Sequence, residues 1–326
     1  MKATAKAPAN IAFIKYWGRK DEKLRLPAND SISMNLSDVF TVTTVEFLGK
    51  LKKDLIAMEG NILGEEEEKR IITHLNRIRD LAGTKTFAKV LTKNNFPKSS
   101  GIASSASGFA ALTMAGVTAA GLKLDEKELS IVARQGSGSA CRSVPNGFVE
   151  WKSGTSSENS YAQTIFPSDW WRVVDILAIV ERKTKKISSS EGHVLTTSSP
   201  FYKSRISGMK NKLKMIKKAM LKKDFKSFGE ILEGEAINMH AVIMTSVPPI
   251  FYWTPKTLEI VLAVGEWREE GLPVYFTIDA GPNVHLICEE KDKGEVIDRL
   301  KTISKIKEII VNKPAQGAHL VNKHLF

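Results

Sequence analysis

The chain has 326 residues, 42% of them hydrophobic and 26% charged, with a formal net charge of +12. That length suits roughly two domains with real cores. The composition excludes a disordered, collagenous or disulfide-stapled chain. The longest aliphatic run, VVDILAIV at 173–180, is too short to span a bilayer and reads as a buried strand. Cys141 and Cys288 form no metal or disulfide framework. The start, MKATAKAPANIAF, lacks the apolar run of a secretory leader, so a reducing cytoplasm is expected.

In chain order, residues 1–50 read as β-rich, with TVTTVEF (41–47) alternating as a strand does. EEEEKRIITHLNRIRDLAG (65–83) predicts a helix with acids in its first turn and Gly83 as its stop. FAKVLTKNNFP (87–97) is a strand feeding the loop PKSSGIASSASGFAAL (97–112). From Ser104 no charge appears until Lys123, so residues 103–121 predict a helix packed on nearly all sides. A second helix over 125–143 ends at Gly136, and GFVEWKSG follows as a strand. Helices are expected at 203–226, 256–270 and 293–305, a strand–turn–strand unit at PVYFTIDAGPNVHLICEE, and strands at 307–312 and the C-terminus. Serine-rich turns place a domain boundary near 185–200, giving domains 1–187 and 188–326. Helices and strands mix without a regular βαβ repeat, which favours α+β.

The basic charge concentrates on 203–226, where Ile206, Met209, Leu213, Ile216 and Met220 form one apolar stripe under a lysine-rich face. A solvated face explains it better than nucleic acid, since no aromatic–basic interleaving is present. Neither nucleic acid nor a membrane is expected as a partner.

Four segments look over-specified for structure alone. In PANIAFIKYWGRKD (8–21), Lys15 interrupts an apolar run. It is either paired or functional, or it snorkels from a strand. The serine–glycine loop at 97–112 is either a serine-capped core helix or a cradle where N–H groups and the helix dipole hold an anion. In GSGSACRS (136–143), Arg142 either grips a carboxylate or phosphate in bidentate fashion or pairs with a helix end. In TIDAGPNVHLI (277–287), Asp279 is a general base at a strand lip or a turn-starting cap. His240 and His285 read as satisfied core histidines, and no cysteine–histidine cluster suggests a transition metal.

PANIAFIKYWG, PKSSGIASSASGFAAL, GSGSACRS and IDAGPN, in this order, resemble the mevalonate diphosphate decarboxylases of the GHMP kinase superfamily. SSSEGHVLTTSSPF (188–201) and MHAVIMTSVPPIFYW (239–253) extend the resemblance over nearly the whole chain. It implies a ribosomal protein S5 domain 2-like N-terminal domain, a ferredoxin-like C-terminal domain and an active site between them. It implies Asp279, Lys15 and Arg142 as catalytic residues, and Tyr16, Arg19, Ser137, Ser139 and Ser189 as substrate contacts. It further implies ATP phosphates on Lys98, Ser99, Ser100, Gly101, Ala103, Ser104, Ser105 and Ser107, with Mg2+ brought by ATP and Ser104 a candidate contact. A homodimer is also implied.

The reaction implied is decarboxylation of a phosphorylated mevalonate, ATP-dependent, giving isopentenyl phosphate or diphosphate. LRLPANDSISMNL (24–36) and MHAVIMTS (239–246) are similar to the phosphomevalonate decarboxylase branch. Lys98-Ser99-Ser100 departs from the usual Thr-Ala-Ala, and Val144-Pro145-Asn146 from a bulky residue and two glycines. The alternatives are an ATP-independent 3,5-bisphosphate decarboxylase and a small-molecule kinase. Lys15, Arg142 and Asp279 together argue against the kinase.

Overall fold

A computed structural model describes residues 1–60, 62–96, 104–182 and 187–326. The expected ATP-loop residues Lys98, Ser99, Ser100, Gly101 and Ala103, and the side chain of Ser104, lie outside the described residues.

The first half runs β1 (Lys2–Ile14), β2 (Arg19–Asp21), β3 (Leu26–Pro27), β4 (Ser31–Phe47), β5 (Leu55–Met58), α1 (Glu65–Ala82), β6 (Ala88–Asn94), α2 (Ser104–Ala119), α3 (Glu126–Gly136), β7 (Phe148–Trp151) and β8 (Ala162–Phe166). The rest runs β9 (Val173–Ile179), α4 (Ser189–Leu195), α5 (Tyr202–Lys222), α6 (Phe225–Met244), α7 (Pro255–Glu269), β10 (Val274–Thr277), β11 (Val284–Glu289), α8 (Lys293–Thr302), β12 (Glu308–Asn312) and β13 (His319–Leu320). No helix among the described residues is long and apolar enough to cross a membrane.

The architecture is α+β, as expected. β1 and β4 form the antiparallel spine of the larger sheet, with β13 and β6 outside them and β7 branching from β4. Helices α1, α2 and α3 cover one face. The alanines of α2 (Ala110, Ala111, Ala115) let its backbone lie close to Ala3, Ala5 and Ala7 of β1. α1 ends where Gly83 takes a left-handed φ of 62°.

The second sheet is antiparallel, in the order β10-β11-β9-β12. Together with its helices it has the ferredoxin-like arrangement. The expected boundary at 187/188 falls after β9, yet β9 pairs with β11 and β12 in this second sheet. One apolar core crosses between the sheets: Ile11, Phe13 and Ile14 of β1 pack with Leu177 and Ile179 of β9 and Phe228 of α6. The end of β1 is thereby wedged against the second sheet.

α6 escapes the sequence pattern, because its apolar residues are broken by Gly229 and Gly234. Gly229 is required by a close approach: a Cβ there would meet the Tyr275 ring at 2.0 Å.

Candidate active site

β1 ends at Ile14, and the next residue, Lys15, is 1% exposed. Its Nζ donates to Asp279 Oδ1 at 2.7 Å, from just beyond β10. The Thr277 hydroxyl donates to the Ala12 carbonyl at 3.4 Å, which ties the two strand ends together. Burial drives the Lys15 pKa below its ordinary value, against the opposing charge and hydrogen bond of Asp279 and the charge of Glu235. At Asp279, burial works the other way, but Lys15, His285 and Arg142 outweigh it and hold the carboxyl below its usual range. The carboxyl held below its usual range is ionised at neutral pH, and the aspartate is therefore a weak base.

Arg142 sits in a short 3-10 turn, Gly138–Ser143, and is buried. Its Nε and Nη2 donate to Asn10 Oδ1 at 3.2 and 3.1 Å, and Nη1 donates to Ser31 Oγ at 2.8 Å. Asn10 in turn donates from Nδ2 to the Ser139 carbonyl at 3.2 Å and Ser143 Oγ at 2.8 Å. Asn10 lies where the β1–β4 register shifts. The guanidinium is thus held rigidly, 5.9 Å from the Trp151 ring centroid.

Trp151 meets the Tyr16 ring edge-on at 4.6 Å, and the Tyr16 hydroxyl accepts from Arg19 Nε at 2.7 Å. His193 of α4 lies 4.2 Å from the Tyr16 ring and 4.6 Å from Trp17, and accepts the Gly18 N–H at 2.9 Å. Ser189 opens that same helix. The 3-10 turn presses on Tyr16, since a Cβ at Gly138 would meet its ring at 2.7 Å.

Beyond Tyr16 the charge changes character. Arg25 Nε donates to the Gln135 carbonyl at 3.2 Å, and Arg70 Nη2 to the Gly136 carbonyl at 3.5 Å. Burial and the neighbouring Arg19, Arg70 and Arg77 push the Arg25 pKa down to about 10. Crowded, half-buried guanidiniums repel one another and are stabilised by a bound polyanion. At the start of α2, Ser105 is exposed and accepts from the Ser137 hydroxyl at 3.3 Å. Ser107 is fully buried and shares a hydrogen bond with Thr41 at 2.7 Å.

The structure therefore brings Lys15, Asp279, Arg142, Tyr16, Arg19, Ser137 and Ser139 into one neighbourhood, with Lys15, Arg142 and Ser137 buried in it. Sequence reading missed Asn10, Ser31, His193, Arg25 and Arg70. Arg70 was visible only as part of the helix at 65–83, and Arg25 only within the β-rich stretch 1–50. His285 is a satisfied core histidine, bonded to Asp175 at 2.8 Å. His240 differs: its ring lies against the backbone of Ile278 and Asp279, and its Nε2 has no partner among the described residues. No group of three or more potential metal ligands occurs among the described residues.

Comparison with known proteins matches two family models, a diphosphomevalonate decarboxylase-like N-terminal domain over residues 7–162 and a mevalonate 5-diphosphate decarboxylase C-terminal domain over 175–323. The diphosphomevalonate decarboxylase of Candida albicans is 35% identical over 91% of this chain and 87% of its own length. That of Saccharomyces cerevisiae is 33% identical, over 89% of this chain and 79% of its own. Among solved structures, mevalonate diphosphate decarboxylase from Staphylococcus aureus superposes with a TM-score of 0.94 at 38% identity, covering 98% of each chain. The enzyme from Enterococcus faecalis gives 0.93 at 36% identity, covering 99% of each. A structure described as MDDEF in complex with MVAPP, AMPPCP and magnesium gives 0.94 at 37%. The fold is therefore that of the GHMP kinases, and with both domains matched along its length this chain belongs to the diphosphomevalonate decarboxylase family.

Proposed function

We propose that the protein decarboxylates mevalonate 5-diphosphate in an ATP-dependent reaction of isoprenoid synthesis, yielding isopentenyl diphosphate. The observation that carries this is the 2.7 Å Lys15–Asp279 pair, with Arg142 locked beside it and an arginine cluster beyond Tyr16. Such a surface fits a substrate with a carboxylate at one end, a hydroxyl in the middle and phosphates at the other.

The motifs at 24–36 and 239–246 pointed toward the 5-phosphate branch. The crowded arginines favour the more highly charged diphosphate, and the relatives carry that name. ATP with magnesium, when bound, supplies the phosphoryl group that makes the tertiary 3-hydroxyl a leaving group. The described residues suit it: a helix N-terminus favours an anion, and at the start of α2 the exposed Ser105 accepts from the Ser137 hydroxyl at 3.3 Å.

The protein's own part is positioning and charge. Asp279, held ionised by Lys15, accepts a hydrogen bond from the 3-hydroxyl and orients its oxygen. A carboxylate this acidic is a poor proton acceptor but a good stabiliser of positive charge. Departure of the 3-phosphate builds such charge at C3, and Asp279 faces it. Arg142, fixed by Asn10 and Ser31, holds the carboxylate so that the breaking bond aligns with the developing cation. Ser189 joins the substrate side of the site, and the enzyme works as a cytoplasmic homodimer; a mass measurement in solution tests the dimer.

The deciding experiment offers mevalonate 5-phosphate, 5-diphosphate and 3,5-bisphosphate, each with and without Mg-ATP, and reads CO2 and product mass. Turnover of the 5-diphosphate only with ATP is expected. Turnover of the bisphosphate alone, or phosphorylation without CO2, would overturn the reading.

A further inference from the structure

Behind Lys15 lies a buried ion pair. Arg205 of α5 and Glu235 of α6 are paired, and both side chains are 0% exposed. Arg205 Nη2 also donates to the Lys15 carbonyl at 3.1 Å, and Nη1 to the Trp17 carbonyl at 3.4 Å and Asn29 Oδ1 at 3.3 Å. Asn29 Nδ2 donates to the same Lys15 carbonyl at 3.0 Å. Glu235 Oε2 accepts from Lys212 Nζ at 2.7 Å, and Lys212 belongs to the lysine-rich face of α5.

A buried ion pair gives little stability over an apolar pair of the same shape, so its presence asks for another reason. Here the guanidinium clamps two carbonyls of the segment that carries Lys15, Tyr16 and Trp17. We propose that Arg205 and Glu235 are positioning residues for Lys15: Arg205 fixes its backbone, and Glu235, paired to that guanidinium, places a second negative charge behind the lysine besides that of Asp279. The role in turnover rests on the decarboxylase reading above, but the effect on Lys15 does not. The charged and titratable groups facing Lys15 are Asp279 beyond β10, Arg142 of the 3-10 turn, Arg205 of α5, and Glu235 and His240 of α6. Glu235 is the only carboxylate besides Asp279 among them.

The network also gives a purpose to one lysine of an otherwise solvated face. Lys212 is 30% exposed and partly neutralises Glu235. Its loss leaves more of the Glu235 charge acting on Lys15.

The test uses the full chain labelled with 13C-lysine, with the Lys15 Cε signal assigned by its disappearance in Lys15→Met. In Glu235→Gln the Lys15 titration should move down by roughly half a pH unit or more. Glu235→Asp, which keeps the charge, should restore most of it. Lys212→Met, at an accessible position, should move Lys15 up, and it decides the matter if Glu235→Gln does not fold. An unmoved Lys15 in the folded variants overturns the proposal. For turnover, Arg205→Met/Glu235→Met replaces the pair by apolar chains of similar length. Its kcat should fall about 10- to 100-fold while KM changes little. An unchanged kcat in a folded double variant also overturns it. A wild type that releases no CO2 from any phosphorylated mevalonate sinks the functional reading alone, because the Lys15 titration still decides the clamp.

Discussion

Lys15 and Asp279 are 264 positions apart in the chain and 2.7 Å apart in the fold. Each favours the charged form of the other. Asp279 opposes the burial that lowers the Lys15 pKa, and Lys15 opposes the burial that raises the Asp279 pKa.

The first prediction follows from that dependence. Asp279→Asn keeps the size of the side chain and removes the charge. Circular dichroism should show a folded protein, while CO2 release falls by at least about 100-fold. In the wild type the Asp279 pKa is lowered, so the acid limb of kcat/KM lies below the ordinary carboxylate range. The Lys15 pKa is also lowered, so the alkaline limb of kcat/KM lies below the ordinary lysine value of 10.5. Full turnover by Asp279→Asn would refute the assigned role.

How far the sequence carries this site is uneven, and the reasons are physical. Lys15 stood out because a lone cation in an apolar run needs a partner, and Asp279 because a carboxylate follows a strand before a turn. Their pairing was beyond local pattern, since the fold closes it across the whole chain. β9 read as a buried strand, but its membership in the second sheet depends on pairing with β11 and β12. Arg25 and Arg70 were indistinguishable from solvated surface charge, because their crowding arises only when the β2–β3 hairpin meets α1. Glu235 was hidden by the glycines that blurred α6.

A second prediction concerns Arg142. Its fork engages Asn10 and Ser31 at once, which an ammonium group cannot do. Arg142→Lys should lower kcat/KM by about 100-fold, equivalent to two charge-assisted hydrogen bonds of about 1.5 kcal/mol each. Steady-state kinetics on the 5-diphosphate checks this. A change under about threefold would place the substrate carboxylate elsewhere.

A third prediction separates the phosphate end from the reacting end. Arg25 touches the Gln135 carbonyl and crowds other arginines rather than Asp279. Arg25→Gln should raise KM for the 5-diphosphate by about tenfold and leave kcat within about twofold. The rise should be smaller for the 5-phosphate, and should shrink as salt is added. Equal effects on both substrates would remove Arg25 from phosphate recognition.

The last prediction tests how burial is used outside the chemistry. His74 of α1 packs against α2, its Nε2 sharing a hydrogen bond with Thr113 at 2.8 Å and its ring edge-on to Phe109 at 5.4 Å. Burial, then the cations Arg77, Arg25 and Arg70, push its pKa down from 6.5 to about 3. The folded state therefore refuses a proton that the unfolded state accepts. Between these two values the unfolded chain holds more protons, so stability falls as pH falls, and none of this loss is felt above the unfolded pKa. At pH 5 the loss for one such histidine is about 2 kcal/mol. His240, also pushed down to about 3, adds its own share. His74→Asn removes one titration, so urea unfolding of the variant between pH 7 and pH 5 should show a shallower drop by about that amount. The variant is expected to be less stable at pH 7, because it loses the packing on Phe109, and the comparison rests on the slope. Parallel slopes for wild type and variant would show that His74 is protonated in the folded protein and that the arginines do not exclude the proton.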